Sequence, residues 1–268
     1  MPLIDIPGAR LNVVDAGQGP PLLFVHGFPL NHAMWRFQIE ELSRSGFRCI
    51  APDLRGFGHS SVSQGIVTME QFADDLAELL NAMRIQDQVV FCGLSMGGCV
   101  AWPFERRHPQ WLKAMILCDT RVVSDTAEAA ANRRKLAEDV LQHGPEIVAN
   151  AMLPRLFAAS TFAKQPEIIE ETRRMILATN PQGIAAGSLA LAGRLDARSW
   201  TADVTLPTLL LAGEHDVIST PLEMRQIAEV MPNARFEVIP DAGHMAPLEN
   251  PQVVNRVMRE FLERPSVT

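Results

Sequence analysis

Three side chains of this 268-residue chain have the types and the chain order that turn an alcohol into a nucleophile. Ser95 stands in Cys92-Gly93-Leu94-Ser95-Met96-Gly97-Gly98, a G-x-S-x-G turn between a strand-like run, Gln88–Phe91, and a helical stretch that starts near Met96. A turn of this kind strains the serine backbone and pushes its hydroxyl clear of the sheet, and the flanking glycines leave the room it needs. A serine hydroxyl attacks poorly at neutral pH unless a base takes its proton and a carboxylate orients that base. Of seven histidines, His244 is the expected base, in the turn Asp241-Ala242-Gly243-His244-Met245-Ala246-Pro247 that follows the last strand-like run. His26 reads as a loop brace, and His108, His143 and His215 as surface or helix-end residues. Asp216, in Gly213-Glu214-His215-Asp216, is the expected orienting acid. Asp119 is its rival at another strand end, and Asp241 shapes the turn before His244. Oxyanion stabilisation calls for two backbone N–H groups. Met96 follows the nucleophile directly, and Phe28 lies in His26-Gly27-Phe28-Pro29-Leu30; Pro29 has no N–H to offer. The chemistry these residues define is acyl transfer through an acyl-enzyme on Ser95, which needs neither a metal nor an organic cofactor.

Strands must bring these loops to one edge. Leu3–Ile6 and Leu11–Asp15, split by Pro7-Gly8, read as a hairpin. The all-apolar run Leu22–Val25 reads as a central strand, and the largely apolar Phe47–Ala51, Val89–Cys92, Leu112–Cys118 and Leu206–Ala212 read as further strands, with Arg235–Ile239 as the last. Helical spacing links them at Ala33–Ser45, from Thr68 to about Met83, after Ser95, at Pro221–Met231 and at Glu249–Leu262, and Thr68 with Gln71 has the form of a capping box. Such alternation predicts a mostly parallel α/β sheet with helices on both faces. It breaks between about Val122 and Ala202, where helical runs at Ala127–His143, Pro145–Leu156, Gln165–Thr179 and Gly183–Gly193 predict an inserted helical cap. The expected organisation is a core of residues 1–121 and 202–268 with a cap over 122–201. Met152, Leu153 and Phe157 of the cap, together with Met245, are the expected substrate-pocket residues. Most other apolar cap residues are expected to be core.

Composition narrows the function. Hydrophobic residues make up 47% of the chain and charged ones 21%, as in soluble globular domains. A net charge of −7 disfavours a nucleic-acid partner. No apolar run reaches the roughly 18 residues of a membrane span, and the N-terminus lacks the regions of a signal peptide. The four cysteines (Cys49, Cys92, Cys99, Cys118) have no metal-ligand spacing and read as buried thiols of a cytoplasmic protein. The expected partner is a small-molecule ester; monomer and homo-oligomer fit equally well. The chain has no tyrosine, which removes every mechanism that needs a phenol.

With His26–Pro29, Asp53-Leu54-Arg55-Gly56-Phe57-Gly58-His59-Ser60, Gly93–Gly98, Gly213–Asp216 and Gly243-His244 in place, the chain resembles the α/β-hydrolase superfamily along nearly its full length. It is most similar to the small capped serine esterases that group with cofactor-free haloperoxidases (perhydrolases) and 3-oxoadipate enol-lactonases, and Leu117–Arg121 resembles the segment leading into their cap. The resemblance implies an eight-stranded sheet and a Ser-Asp-His hydrolase, here a carboxylesterase for short- to medium-chain or aryl esters. Enol-lactone hydrolysis, with Arg121, Arg133 or Arg134 holding a carboxylate, and perhydrolysis use the same triad. A non-catalytic binding protein of this fold is the alternative of another class. Epoxide hydrolases and dehalogenases of the fold need an Asp where this chain has Ser95. Two departures stand out: Pro103 inside the helix after the nucleophile, expected to kink it, and Cys99 where many relatives carry Tyr.

Overall fold

The computed structural model describes residues 2–62, 65–265 and 267; Met1, the first residue of the N-terminus read above, lies outside them. Eight strands, β1 (Leu3–Ile6), β2 (Ala9–Ala16), β3 (Pro21–Val25), β4 (Arg48–Pro52), β5 (Val89–Leu94), β6 (Leu112–Cys118), β7 (Thr208–Gly213) and β8 (Ala234–Ile239), form one sheet in the order β1-β2-β4-β3-β5-β6-β7-β8. β1 pairs antiparallel with β2, and β2 with β4, whereas every pairing from β4 to β8 is parallel. Position in the sheet explains composition. Central β3, β5 and β7 are buried at every residue, and apart from Thr208 at the start of β7 each is an apolar run. Edge strands β1 and β8 are largely half-exposed and carry charge.

The helices are α1 (Arg36–Arg44), α2 (Met69–Ala82), α3 (Met96–Arg107), α4 (Ala127–His143), α5 (Glu146–Leu156), α6 (Ala159–Lys164), α7 (Pro166–Ala178), α8 (Pro181–Ala192), α9 (Arg198–Thr201), α10 (Pro221–Val230), α11 (Ala246–Glu249) and α12 (Pro251–Leu262). The stretch read as one helix over Ala33–Ser45 is a 3₁₀ turn, His32–Trp35, followed by α1. Only half of the capping box at α2 forms: Thr68 accepts from the Gln71 N–H, but the Gln71 side chain turns to Asp75. The complete box is at α10, between Thr220 and Glu223. Pro103 lies within α3 without ending it. Six helices, α4 to α9, and no strand occupy the chain between β6 and β7 among the described residues. No described helix is long and apolar enough to cross a membrane.

Parallel strands place their C-terminal ends on one side of a sheet, where ligands bind in folds of this type. Val25, Leu94, Cys118 and Gly213 end four adjacent parallel strands. The loops that follow them carry Phe28, Ser95, Asp119 and Asp216.

Candidate active site

Ser95 bridges β5 and α3 with φ 53° and ψ −110°, a backbone conformation that costs a non-glycine residue free energy and persists only where its surroundings enforce it. Two bonds enforce it: the Ser95 N–H donates to the Cys118 carbonyl at 3.0 Å, and the Thr120 hydroxyl donates to the Ser95 carbonyl at 2.7 Å. Glycine is obligatory where α3 crosses the sheet, since a Cβ on Gly97 would fall 2.2 Å from the Val25 carbonyl oxygen. Between residues 91 and 100 every residue is buried except Ser95, which stays partly exposed. The sharp turn therefore exposes its hydroxyl while concealing everything around it.

His244 is buried on the loop after β8, and its Nδ1–H donates to Asp216 Oδ2 at 2.8 Å. That bond fixes the tautomer and leaves Nε2 for a second partner. The other Asp216 oxygen accepts the N–H groups of Ile218 (2.7 Å) and Ser219 (3.1 Å). Burial alone would raise the Asp216 pKa, but the imidazole and these two amides outweigh it and hold the carboxyl below its ordinary value. Asp119 is different. It is fully buried with φ 48°, and its Oδ1 accepts the Gly213 N–H at 2.7 Å while Oδ2 has no hydrogen-bond partner. Burial, and then the charge of Asp216, push its pKa well above the usual carboxylate range. One ligand atom each of Asp119, Asp216 and His244 fall within 4.8 Å of one another, close enough for a metal site. The imidazole Nδ1 and three of the four carboxylate oxygens are nonetheless spent on the bonds just described.

The loops around this pair are braced by side chains. His26 donates Nδ1–H to the Gly27 carbonyl at 2.9 Å and accepts the Leu54 N–H at Nε2 at 3.0 Å, joining the Phe28 loop to the loop after β4. Burial lowers its pKa to about 4, although Asp53 opposes this, so the ring is neutral. Asp53 accepts from Asn12 and from the His32 and His59 amides, and His32 offsets its burial to bring its pKa to about 2. Behind His244, Glu249 accepts the N–H of Gly243 at 2.8 Å on Oε1. Its Oε2 accepts the Ala158 N–H and the Thr161 hydroxyl, so this one side chain ties the His244 loop to α6.

Ser95, His244, Phe28 and Met96 line one cavity of about 80 Å³ together with Cys99, Thr120, Arg121, Arg133, Met152, Leu191, Arg194, Ile218 and Ser219. No hydrogen bond joins the Ser95 hydroxyl to His244 in this structure; such bonds commonly tighten only when substrate is bound. The Phe28 N–H donates to no protein group among the described residues, and the Met96 N–H opens the first turn of α3, where helical amides lack partners. Of the expected pocket residues, Met152 lines the cavity. Leu153, Phe157 and Met245 do not, because they are spent on packing: Leu153 is buried in the core, Phe157 packs edge-on against Phe162, and Met245 is fully buried with its N–H on the Leu156 carbonyl. Arg134 is not on this wall either, whereas Arg121 and Arg133 are.

Sequence reasoning missed Thr120, Glu249 and the cluster in which the Asp125 carboxylate, its side chain 4% exposed, binds Arg133 at 2.5 Å and Arg194 at 2.8 Å. The only sequence signal for that cluster is an acid just ahead of α4, eight residues before Arg133.

A family model for the alpha/beta hydrolase fold matches residues 20–251, and the chain belongs to that family. Its structure is similar to that of a thermophilic esterase from Thermogutta terrifontis solved with malate bound, at 47% identity and a TM-score of 0.96 over 100% of this chain and 99% of that one. An enol-lactonase from Burkholderia xenovorans LB400 is 28% identical with a TM-score of 0.91, covering 98% of this chain and 100% of the other. In sequence, 3-oxoadipate enol-lactonase 2 of Acinetobacter baylyi is 28% identical over 256 residues, 95% of this chain and 93% of its own.

Proposed function

We propose that the protein is a serine carboxylesterase acting on short- to medium-chain or aryl esters. The observation that carries this reading is the placement of a strained, partly exposed Ser95 on the same cavity as His244, whose ring is already oriented by Asp216. His244 Nε2 takes the Ser95 proton as Oγ attacks the ester carbonyl, while the amides of Phe28 and Met96 receive the developing oxyanion. The imidazolium then protonates the leaving alcohol, and water, activated by the same ring, hydrolyses the acyl-enzyme. Asp216 holds the tautomer and supports the imidazolium. Asp119, its pKa raised by burial, lies close to Asp216 and exchanges no proton with substrate. Helices α4 to α9 act as a cap, residues 122–201, that supplies Met152, Leu191 and the arginines of the wall.

The esterase and enol-lactonase relatives support this class of reaction. The wall favours enol-lactone hydrolysis as the second reading, since Arg121, Arg133 and Arg194 outnumber the two acids paired with them, Glu223 and Asp125, and so keep a positive charge for a substrate carboxylate. Perhydrolysis would use peroxide in place of water at the same acyl-enzyme. Hydrolysis of p-nitrophenyl esters of graded acyl length, by the protein and by Ser95→Ala, tests the proposal: turnover of the short esters that disappears in the variant supports it. A folded protein that turns over none of them favours a non-catalytic binder.

A further inference from the structure

Beside the 80 Å³ cavity at Ser95 lies a second one of about 310 Å³, and both are lined by Cys99, Arg121 and Arg194. The small one has only about a quarter of the volume of the larger. The larger one reaches the size at which small-molecule sites begin, roughly 300 Å³. It lies between the start of α2, the exposed side of α3, the segment after β6 and the α8–α9 connection, with Met69, Trp102, Leu195 and Trp200 as its apolar walls.

Its charges are unevenly engaged. Arg121 faces Glu223, Arg194 is bound to Asp125, and Arg107 is bound to Asp74. Arg106, exposed at the rim, forms no ion pair among the described residues and lies over the Trp200 ring at 4.9 Å. Glu70 is the one acid on this wall. Two indoles with a guanidinium that acts on the adjacent Glu105 but forms no ion pair make a surface for a flat apolar group bearing a negative charge at its far end. Cys99 stands between this surface and Ser95: its N–H donates to the Ser95 carbonyl at 3.0 Å, and its small side chain belongs to both cavities.

We infer that the second cavity is a binding site for one arm of the ester, an aromatic or medium-length apolar arm ending in an anion, which passes Cys99 and ends under Arg106. The inference rests on the serine-esterase reading for the position of the reacting carbon. The arm belongs to either the acyl or the alcohol part, and paired substrates distinguish the two.

Hydrolysis is followed by pH-stat for methyl acetate, methyl 4-phenylbutyrate and methyl 4-(4-carboxyphenyl)butyrate, and for the acetates of 3-phenylpropanol and 3-(4-carboxyphenyl)propanol. In one of the two series the carboxylated ester is expected to exceed its neutral partner about tenfold in kcat/KM. Arg106→Gln abolishes that preference, and Arg106→Lys restores most of it. Cys99→Phe lowers the ratio of arm-bearing ester to methyl acetate about tenfold in the same series. Independently of turnover, 4-(4-carboxyphenyl)butyrate quenches indole emission with an affinity that Arg106→Gln weakens about tenfold. Ser95-dependent hydrolysis of methyl acetate, with neither a carboxylate preference nor an effect of Cys99→Phe, overturns the arm site and leaves the esterase reading intact. Loss of the esterase reading shows instead as methyl acetate hydrolysis that is absent or indifferent to Ser95→Ala; the quenching titration then decides the arm site alone, and an affinity equal in wild type and Arg106→Gln rejects it.

Discussion

Asp119 and Asp216 follow neighbouring strands β6 and β7, and one carboxylate oxygen of each lies within 4.8 Å of the other and of a ring nitrogen of His244. Only Asp216 bonds the ring. The imidazole and two amides outweigh burial and lower its pKa, whereas burial and the neighbouring charge raise that of Asp119. Two acids at one histidine thus have their pKa values pushed in opposite directions, Asp119 by burial and the charge of Asp216, and Asp216 by its bonds to the imidazole and two amides.

Asp216→Asn is expected to lower kcat about ten-thousandfold, because the amide no longer selects the Nδ1–H tautomer. Asp119→Asn is expected to stay within about tenfold of wild type, since its Oδ1 can still accept the Gly213 N–H and no proton passes through it. Steady-state kinetics on one ester decide the matter. Equal losses in the two variants would mean that the acids share the orienting role.

The same division predicts a pH-dependent stability difference. An acid whose pKa is higher in the folded than in the unfolded chain retains a proton that the unfolded chain gives up, so its cost to stability begins near pH 4 and grows as pH rises. Asp119→Asn removes that cost. Its Tm relative to wild type is expected to climb between pH 4.5 and pH 7.5 in calorimetry, and a constant difference would show that Asp119 is already ionised in the fold.

His26 works in the other direction. Its folded pKa of about 4 lies below the ordinary histidine value, so the unfolded chain takes up a proton first as pH falls. Stability is therefore lost as pH drops from about 6.5 to about 4, by on the order of 3 kcal/mol in total. His26→Gln should flatten this part of a urea-denaturation profile. A slope unchanged in the variant would assign the acid sensitivity to other groups.

Gly97→Ala places a methyl carbon 2.2 Å from a backbone oxygen of β3. Neither element can give way without moving the elbow, so the variant should be destabilised by several kcal/mol and lose ester hydrolysis. Gly144 follows α4 with nothing within 4 Å of a built Cβ. Its φ of 76° and ψ of 179° form a conformation that only glycine adopts readily, so Gly144→Ala should cost about 1–3 kcal/mol through the backbone alone and leave turnover unchanged.

Much of this architecture was legible in the chain because it is written in local pattern. Leu112–Cys118 is a strand at its predicted bounds: a mostly apolar run of this length, buried except at Lys113, is too short for an ordinary helix and fits a strand packed on both faces. α4 spans Ala127–His143 as its periodicity implied. Short α6 and α9 carried no such signal, at six and four residues. The loops bearing Ser95, Asp216 and His244 could be placed on one edge from chain order alone. The cavity wall could not, because which face of α5 meets the cavity is a tertiary outcome: Met152 is on the wall while Leu153, its neighbour, is in the core. Arg194 has the look of a solvated helix-end charge, and only the fold brings Asp125 to it.

The central claim is that Ser95 carries the acyl group. Incubation with an aryl alkylphosphonate followed by peptide mass spectrometry tests it most directly. The account predicts one phosphonyl adduct per chain, on the peptide containing Ser95, with matching loss of ester hydrolysis and no adduct in Ser95→Ala. An adduct on a different side chain that abolishes turnover, or ester hydrolysis undiminished in Ser95→Ala, would contradict it.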